Sequence, residues 1–398
     1  MSPKRLAVVT THPIQYQSPW FRALAEHSDI DLEVLYCHQA TPQEQASAGF
    51  NVEFDWDVSL LDGYPHRFLR NVARKPSLNG FAGLDTPQIS DIVKAEDFDA
   101  VIVNGWNYKS AWQAMRACWR TKTPVMVRSD SHLHTERSLP KKVAKLPLYR
   151  WFIPKADACC AVGTWSRDYF LHYGARPERV FIVPHVVDVD FFRKEAGRLR
   201  PQRTELRREW QLDEAATVFL FAGKFVEKKR PLDFINAIAG ANKNAKTIMG
   251  LMVGNGPLRQ VCEDAVKTTN APIRFAGFLN QSKMPTAYAA ADALVLPSDG
   301  GETWGLVINE AMASGKPCLV SDRVGCGPDL IVAGETGDVF PVGDIAALAS
   351  LLGSYADGRS ALTGMGAKAE QEASRYSIGA AVEGVMDAIK AVSNGTRN

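Results

Sequence analysis

The chain has 398 residues, 46% of them apolar and 23% charged, with a formal net charge of +2. That length is more than one hydrophobic core usually serves, about 250–300 residues, so two domains are expected. The near-neutral balance argues against a nucleic-acid partner, and the opening residues hold too short an apolar run for a secretory leader; no 18-residue apolar run follows anywhere. The seven cysteines, Cys37, Cys118, Cys159, Cys160, Cys262, Cys318 and Cys326, form no CxxC pair and no zinc spacing. They read as reduced buried thiols of a cytoplasmic protein.

In chain order, residues 5–10 (RLAVVT) form a first buried strand. The loop after it carries His12, Gln15 and Tyr16, and a helix at 20–27 and a strand at 32–36 follow. Further strand-like runs lie at 100–103, 124–127, 158–162 and 180–183, with a helix at 109–120 among the helical patterns between them. Strands alternating with helices predict a parallel, doubly wound sheet with right-handed crossovers. No GxGxxG follows the first strand, which argues against a dinucleotide dehydrogenase. Loops after parallel strands face a ligand cleft, which makes Trp106 and Asn107, and Asp130 and His132, candidates beside the first loop. Residues 140–157 mix Lys141, Lys142, Lys145, Arg150 and Lys155 with Leu146, Leu148, Trp151, Phe152 and Ile153, a pattern that favours a helix packed on its own domain and also suits peripheral contact with an anionic membrane. Pro147 is expected to interrupt that helix.

A segment at 184–192 closes the first half, and its Asp188 and Asp190 make a DxD in a linker, where a metal role is disfavoured. The second half opens on a strand at 218–222, then Gly223, Lys224 and the basic run Lys228-Lys229-Arg230. Strands follow at 248–253 and 273–277, each with a turn: Gly254-Asn255-Gly256, then Gly277-Phe278. The last pattern, 378–392, has apolar residues at helical spacing.

The organising stretch is 293–331 (ALVLPSDGGETWGLVINEAMASGKPCLVSDRVGCGPDLI). It reads as strand, loop, helix, strand, with the helix starting near Gly305 and stopping at Gly315. Glu302 lies in the loop and Glu310 inside the helix, with seven residues between. Between them is a helix amino end, where unpaired N–H groups and the dipole suit a phosphate. A pyrophosphate seated there directs a sugar toward one glutamate and a ribose toward the other.

This stretch resembles the E-x7-E region of retaining glycosyltransferases of family 4, carried by Glu302, Trp304-Gly305-Leu306, Glu310-Ala311-Met312-Ala313 and Gly315-Lys316-Pro317. The resemblance implies an α/β fold of the GT-B kind, two Rossmann-like doubly wound parallel-sheet domains facing each other across a cleft. The domains would be 1–187, with the terminal helix at about 376–398 packing back on it, and 188–375. It also implies a retaining transferase of the hexosyltransferase type, one that moves a sugar from a UDP- or GDP-sugar to an acceptor hydroxyl in envelope polysaccharide or glycolipid synthesis. By resemblance Glu302, Lys229, Lys224 and Asp130 act on the reacting groups. Gly223, Gly254, Asn255, Gly277, Phe278, Thr303, Trp304, Gly305, Leu306 and Glu310 complete the donor site. His12, Gln15, Tyr16, Trp106, Asn107 and His132 face a glycan or lipid-linked acceptor. Neither a cofactor nor a metal is expected, since lysines and a helix end supply the positive field. A sugar-nucleotide epimerase of the same fold and an inactive nucleotide- or glycan-binding subunit are the rival readings.

Overall fold

Strands that are apolar at nearly every position belong in a sheet covered on both faces. The computed structural model describes residues 2–39, 54–135, 138–242 and 247–393. In the first half, β1 (Lys4–Thr10), β2 (Ile30–Tyr36), β3 (His66–Phe68), β4 (Ala100–Asn104), β5 (Val125–Ser129), β6 (Ala158–Ala161) and β7 (Val180–Ile182) form one parallel sheet. Its order is β3-β2-β1-β4-β5-β6-β7. In the second half, β8 (Thr217–Ala222), β9 (Ile248–Val253), β10 (Ile273–Gly277), β11 (Ala293–Leu296), β12 (Cys318–Ser321) and β13 (Gly337–Phe340) form another, ordered β10-β9-β8-β11-β12-β13. Both sheets are the doubly wound arrangement that the alternation of elements predicts.

In each sheet the order reverses beside the first strand, between β1 and β4 and between β8 and β11. Loops leaving the carboxyl ends of strands at such a reversal diverge and leave a crevice. The loops after β1 and β5 and those after β8 and β11 therefore converge on the space between the halves. The last helix, Ile378–Ser393, buries Ala381, Val385, Ala388 and Ile389 in the same core as Leu6, Val8, Trp20 and Phe21. The end of the chain thus completes the core of its beginning; residues 394–398, part of the expected terminal segment, lie outside the described residues.

Three details differ from the sequence reading. The edge strand β3 has three residues, too few and too polar to show a pattern. The first helix begins at Ser18, with Pro19 in its first turn, where the missing N–H costs nothing. The helix Leu139–Phe152 runs unbroken through Pro147, contrary to the expected interruption. Most of it lies at the surface with Tyr149 and Phe152 turned inward, so one lost backbone bond on the solvent side is tolerated. The side chains of Lys141 and Lys142 lie outside the described set.

Candidate functional site

The cleft between the two sheets encloses about 960 Å³. From the first half, His12, Gln15 and Tyr16 reach it on the loop after β1, and Asp130 on the loop after β5. From the second half come Gly223, Lys224 and Lys229 after β8, and Glu302, Thr303, Trp304, Gly305 and Leu306 after β11. Gly305 precedes the helix Leu306–Ala313 with φ near 105°, a conformation L side chains rarely adopt. That turn aims the amino end of the helix, with Leu306 and Val307, at the cleft.

Lys229 Nζ contacts Glu302 Oε2, and both side chains are nearly buried. Burial raises the Glu302 carboxyl, but the charges of Lys229 and Lys228 and the Ser298 hydroxyl outweigh it and hold it below the usual carboxylate range. Lys224 is pushed down by burial first and then by Lys228 and Lys229. This wall therefore gathers three lysines, Lys224, Lys228 and Lys229, against the two carboxylates of Glu227 and Glu302.

The opposite wall is centred on Asp130. Its side chain is 42% exposed, and its Oδ2 accepts from the Thr303 hydroxyl at 2.6 Å, a bond that crosses the cleft. Enclosure by the cleft walls raises the Asp130 carboxyl, but His185, Thr303 and its own amide hold it well below the ordinary range. His185 Nε2 stands 3.8 Å from that carboxylate. Arg128 Nη2 approaches His185 Nδ1 at 3.4 Å. A guanidinium can only donate, so Nδ1 is the acceptor and the proton sits on Nε2, toward Asp130. Burial and the Arg128 charge push the imidazole down, in agreement with a neutral ring. Burial, then Asp130, pushes the Tyr16 phenol up to about 12, and its ring meets that of His185 edge-on at 5.5 Å. Gln15 Oε1 is buried at the cleft with no hydrogen-bond partner among the described residues.

Not every expected residue comes to the cleft. Trp106 is 4% exposed and packs against Tyr149, Phe152 and Phe170 in the core of the first half. It is a packing residue, because an indole turned into an aromatic cluster presents no face to a sugar. Asn107 is exposed but does not line the cleft. His132 is buried, accepts from the His134 amide and borders a separate cavity of about 410 Å³. Gly254 has φ near 127°, and a Cβ there would fall 1.9 Å from the Gly223 carbonyl oxygen. The two glycines thus let the ends of β8 and β9 meet backbone to backbone. Asn255 accepts from the Phe225 amide, the Gly277 carbonyl accepts from the Gly254 amide, and the Phe278 ring packs on Phe54 at 4.6 Å. None of these four residues lines the cleft among the described residues. Glu310 lies behind it, accepting from the Tyr288 hydroxyl at 2.6 Å, and burial raises its carboxyl to about 7. The DxD pair serves its own helix: Asp188 caps it through the Phe191 amide, and Asp190 bonds Arg193.

Five participants were not assigned from sequence. His185, in the segment that closes the first half, stands beside Asp130. Lys228 ties the loop after β8 to the loop after β11 through the Gly301 carbonyl. Asp329 accepts from the Thr164 amide and hydroxyl of the opposite half and from Tyr376. Phe54, with Trp56 beside it, brings aromatic surface to the cleft. No local pattern marks any of them; only the folded juxtaposition does.

Residues 21–191 match the family model described as Glycosyltransferase Family 4, and 202–372 that described as Glycosyl transferases group 1. The chain belongs to the family-4 glycosyltransferases. A D-inositol 3-phosphate glycosyltransferase of Corynebacterium kroppenstedtii is 27% identical over 293 residues, 71% of this chain. The match spans 63% of that relative's length, less than two thirds. A glycosyltransferase from Rickettsia africae superposes with a TM-score of 0.76 at 15% identity over the whole of both chains. Anabaena HepE, solved with UDP and glucose, gives 0.69 at 16% identity over 97% of this chain and 99% of its own. Likenesses at such identities speak for the fold, which is GT-B.

Proposed function

We propose that this chain transfers a sugar from a nucleoside diphosphate sugar, with UDP or GDP as carrier, to an acceptor hydroxyl with retention at the anomeric carbon. The observation that carries the proposal is the Lys229–Glu302 contact beside the amino end of helix Leu306–Ala313, inside the interdomain cleft. Lys224, Lys229 and that helix end take the diphosphate, whose charge develops as the glycosidic C–O bond breaks. Glu302 orients the donor sugar, and Glu310, partly exposed but bonded to Tyr288 outside the lining of the cleft, takes ribose hydroxyls by exchanging that bond. The acceptor oxygen attacks from the face the diphosphate leaves, and its proton passes to the departing phosphate oxygen. Asp130, His185, Gln15 and Tyr16 hold the acceptor on the opposite wall, where the bare Gln15 carbonyl oxygen suits a sugar hydroxyl. Neither a cofactor nor a metal is assigned a part. The relative named as an inositol phosphate glycosyltransferase and the neighbour solved with UDP and glucose favour this reading.

The acceptor we infer is a glycan or lipid-linked glycan of envelope synthesis, met at the cytoplasmic membrane face. Val143, Leu148 and Trp151 stand exposed on the helix Leu139–Phe152, and Lys155 Nζ lies 4.0 Å over the Trp151 ring. Such a surface favours anionic lipid; co-sedimentation with anionic but not zwitterionic vesicles, lost in Trp151→Ala, is the expected result.

Thermal shift with UDP, GDP and ADP, followed by donor turnover with and without acceptor hydroxyls, tests the main proposal. One nucleotide should raise the melting temperature, since only a ligand of the native state stabilises it, and its sugar should turn over. Conversion of donor to an epimer without acceptor would favour the epimerase, and binding without any turnover the inactive subunit. No shift with any nucleotide and no donor consumption would overturn the proposal.

A further inference from the structure

A second cavity, of about 810 Å³, lies on the far side of the second sheet. Asp292 immediately precedes β11 and Lys316 stands two residues before β12, so both sit at the amino ends of strands whose carboxyl ends face the donor cleft. Five cationic side chains line this cavity, Arg193, Arg200, Arg203, Lys316 and Arg359, against two carboxylates, Asp292 and Glu370.

Both carboxylates are already engaged. Asp292 accepts from Arg203 and from the buried Arg207 at 2.7 Å each, and from the Val218 amide. Arg359 stands 3.7 Å from it. Glu370 accepts from Arg193 at 2.6 Å. Among the described residues no carboxylate reaches ion-pair distance of the Lys316 ammonium. Burial pushes that ammonium down to about 7, and the Arg203 charge pushes the same way while Asp292 opposes it through space. Beside it the Ser314 hydroxyl, 6% exposed, has no hydrogen-bond partner among the described residues.

A buried polar group without a partner and a cation without a counterion are each costly, and natural structures rarely keep both in one place without a use. An ammonium, a hydroxyl donor and a guanidinium on the rim match the several acceptor oxygens of a tetrahedral oxyanion. We propose that this cavity binds a small phosphate-bearing anion, held by Lys316 and Ser314 with Arg200 at the rim. The proposal stands apart from the donor reading. Helix Leu306–Ala313 starts at the cleft and ends at Ser314, about 12 Å along its axis at 1.5 Å per residue, so any test must separate binding in this cavity from binding in the cleft.

Inorganic phosphate and glycerol phosphate are titrated calorimetrically into the full chain, with ionic strength held by chloride. Saturable binding to one site is expected. Lys316→Met should weaken it at least tenfold, and Arg200→Glu and Ser314→Ala several-fold. Lys229→Ala, which disables the donor wall, should bind phosphate as the parent does. Arg200 is exposed, so its variant keeps the test alive where Lys316→Met does not fold. Absence of saturable heat, loss of binding in Lys229→Ala, or unchanged affinity in Arg200→Glu would overturn the proposal. Binding of glycerol phosphate without lipid identifies a soluble ligand, and Lys316-dependent sedimentation with phosphatidic acid vesicles a lipid headgroup.

Discussion

Two glutamates at equal standing in the sequence have opposite titration behaviour in the fold. Glu302 touches Lys229 and is held low; Glu310 accepts from the Tyr288 hydroxyl and is raised by burial to about 7. For Glu302, a depressed folded value means its stabilisation is present above the unfolded value and disappears as pH falls through the folded one. Glu302→Gln should therefore cost about 2–4 kcal/mol at pH 7, because it strands a nearly buried ammonium, and that loss should shrink in urea melts taken toward pH 3. For Glu310 the sign reverses. Its raised value means stability is full below the unfolded value, near 4.3, and is lost as pH rises through about 7. Glu310→Gln should then be nearly neutral at pH 5 and stabilising by about 1–3 kcal/mol at pH 8. Equal stability of parent and variant at both pH values would remove the buried-carboxylate account. The spacing of the pair was legible in the sequence, but their environments were not. Lys229 arrives from another strand's loop and Tyr288 from another helix, and His185 meets Asp130 only after β5 and the interdomain segment are brought together.

At the scale of elements, legibility followed burial. Strands such as β8 and β11 are buried at every position, so their apolar runs stood out, whereas β3 is a short edge strand with one face to water. Loops at strand carboxyl ends were legible by topology, yet topology says nothing about which way a side chain turns. Trp106 follows β4 as expected, and its ring folds back into the core. Gly305 is where local conformation governs the site directly. A Cβ there would face Leu296 Cδ2 at 3.0 Å on a backbone with φ near 105°. Gly305→Ala should cost about 1–3 kcal/mol of stability and turn the helix end from the cleft. Nucleotide affinity should fall about tenfold, or 1.4 kcal/mol, in calorimetry on the folded variant. Full affinity would mean that the helix end does not seat the diphosphate.

The whole molecule depends on how two similar sheets are held face to face. Among the contacts that fix that relation are Ser282 to Asp57, Phe278 on Phe54, Thr303 to Asp130, Thr164 to Asp329, and the Trp304 ring against Gly163. The last is purely steric. Gly163 is extended, with φ of 177°, so alanine would suit its backbone, but a Cβ would sit 2.4 Å from the Trp304 ring. Gly163→Ala thus wedges the halves apart by volume, and Asp329→Ala releases them by removing an acceptor. Both changes lie outside the groups assigned to the diphosphate. If the cleft works by registering a donor on one half against an acceptor on the other, both variants should bind nucleotide within about twofold of the parent. Transfer should nonetheless slow by about 10- to 100-fold, the cost of displacing reacting groups by an ångström or so. A variant that loses nucleotide affinity and rate together would show that closure builds the donor site itself, and a variant unchanged in both would show that the halves meet without these fasteners.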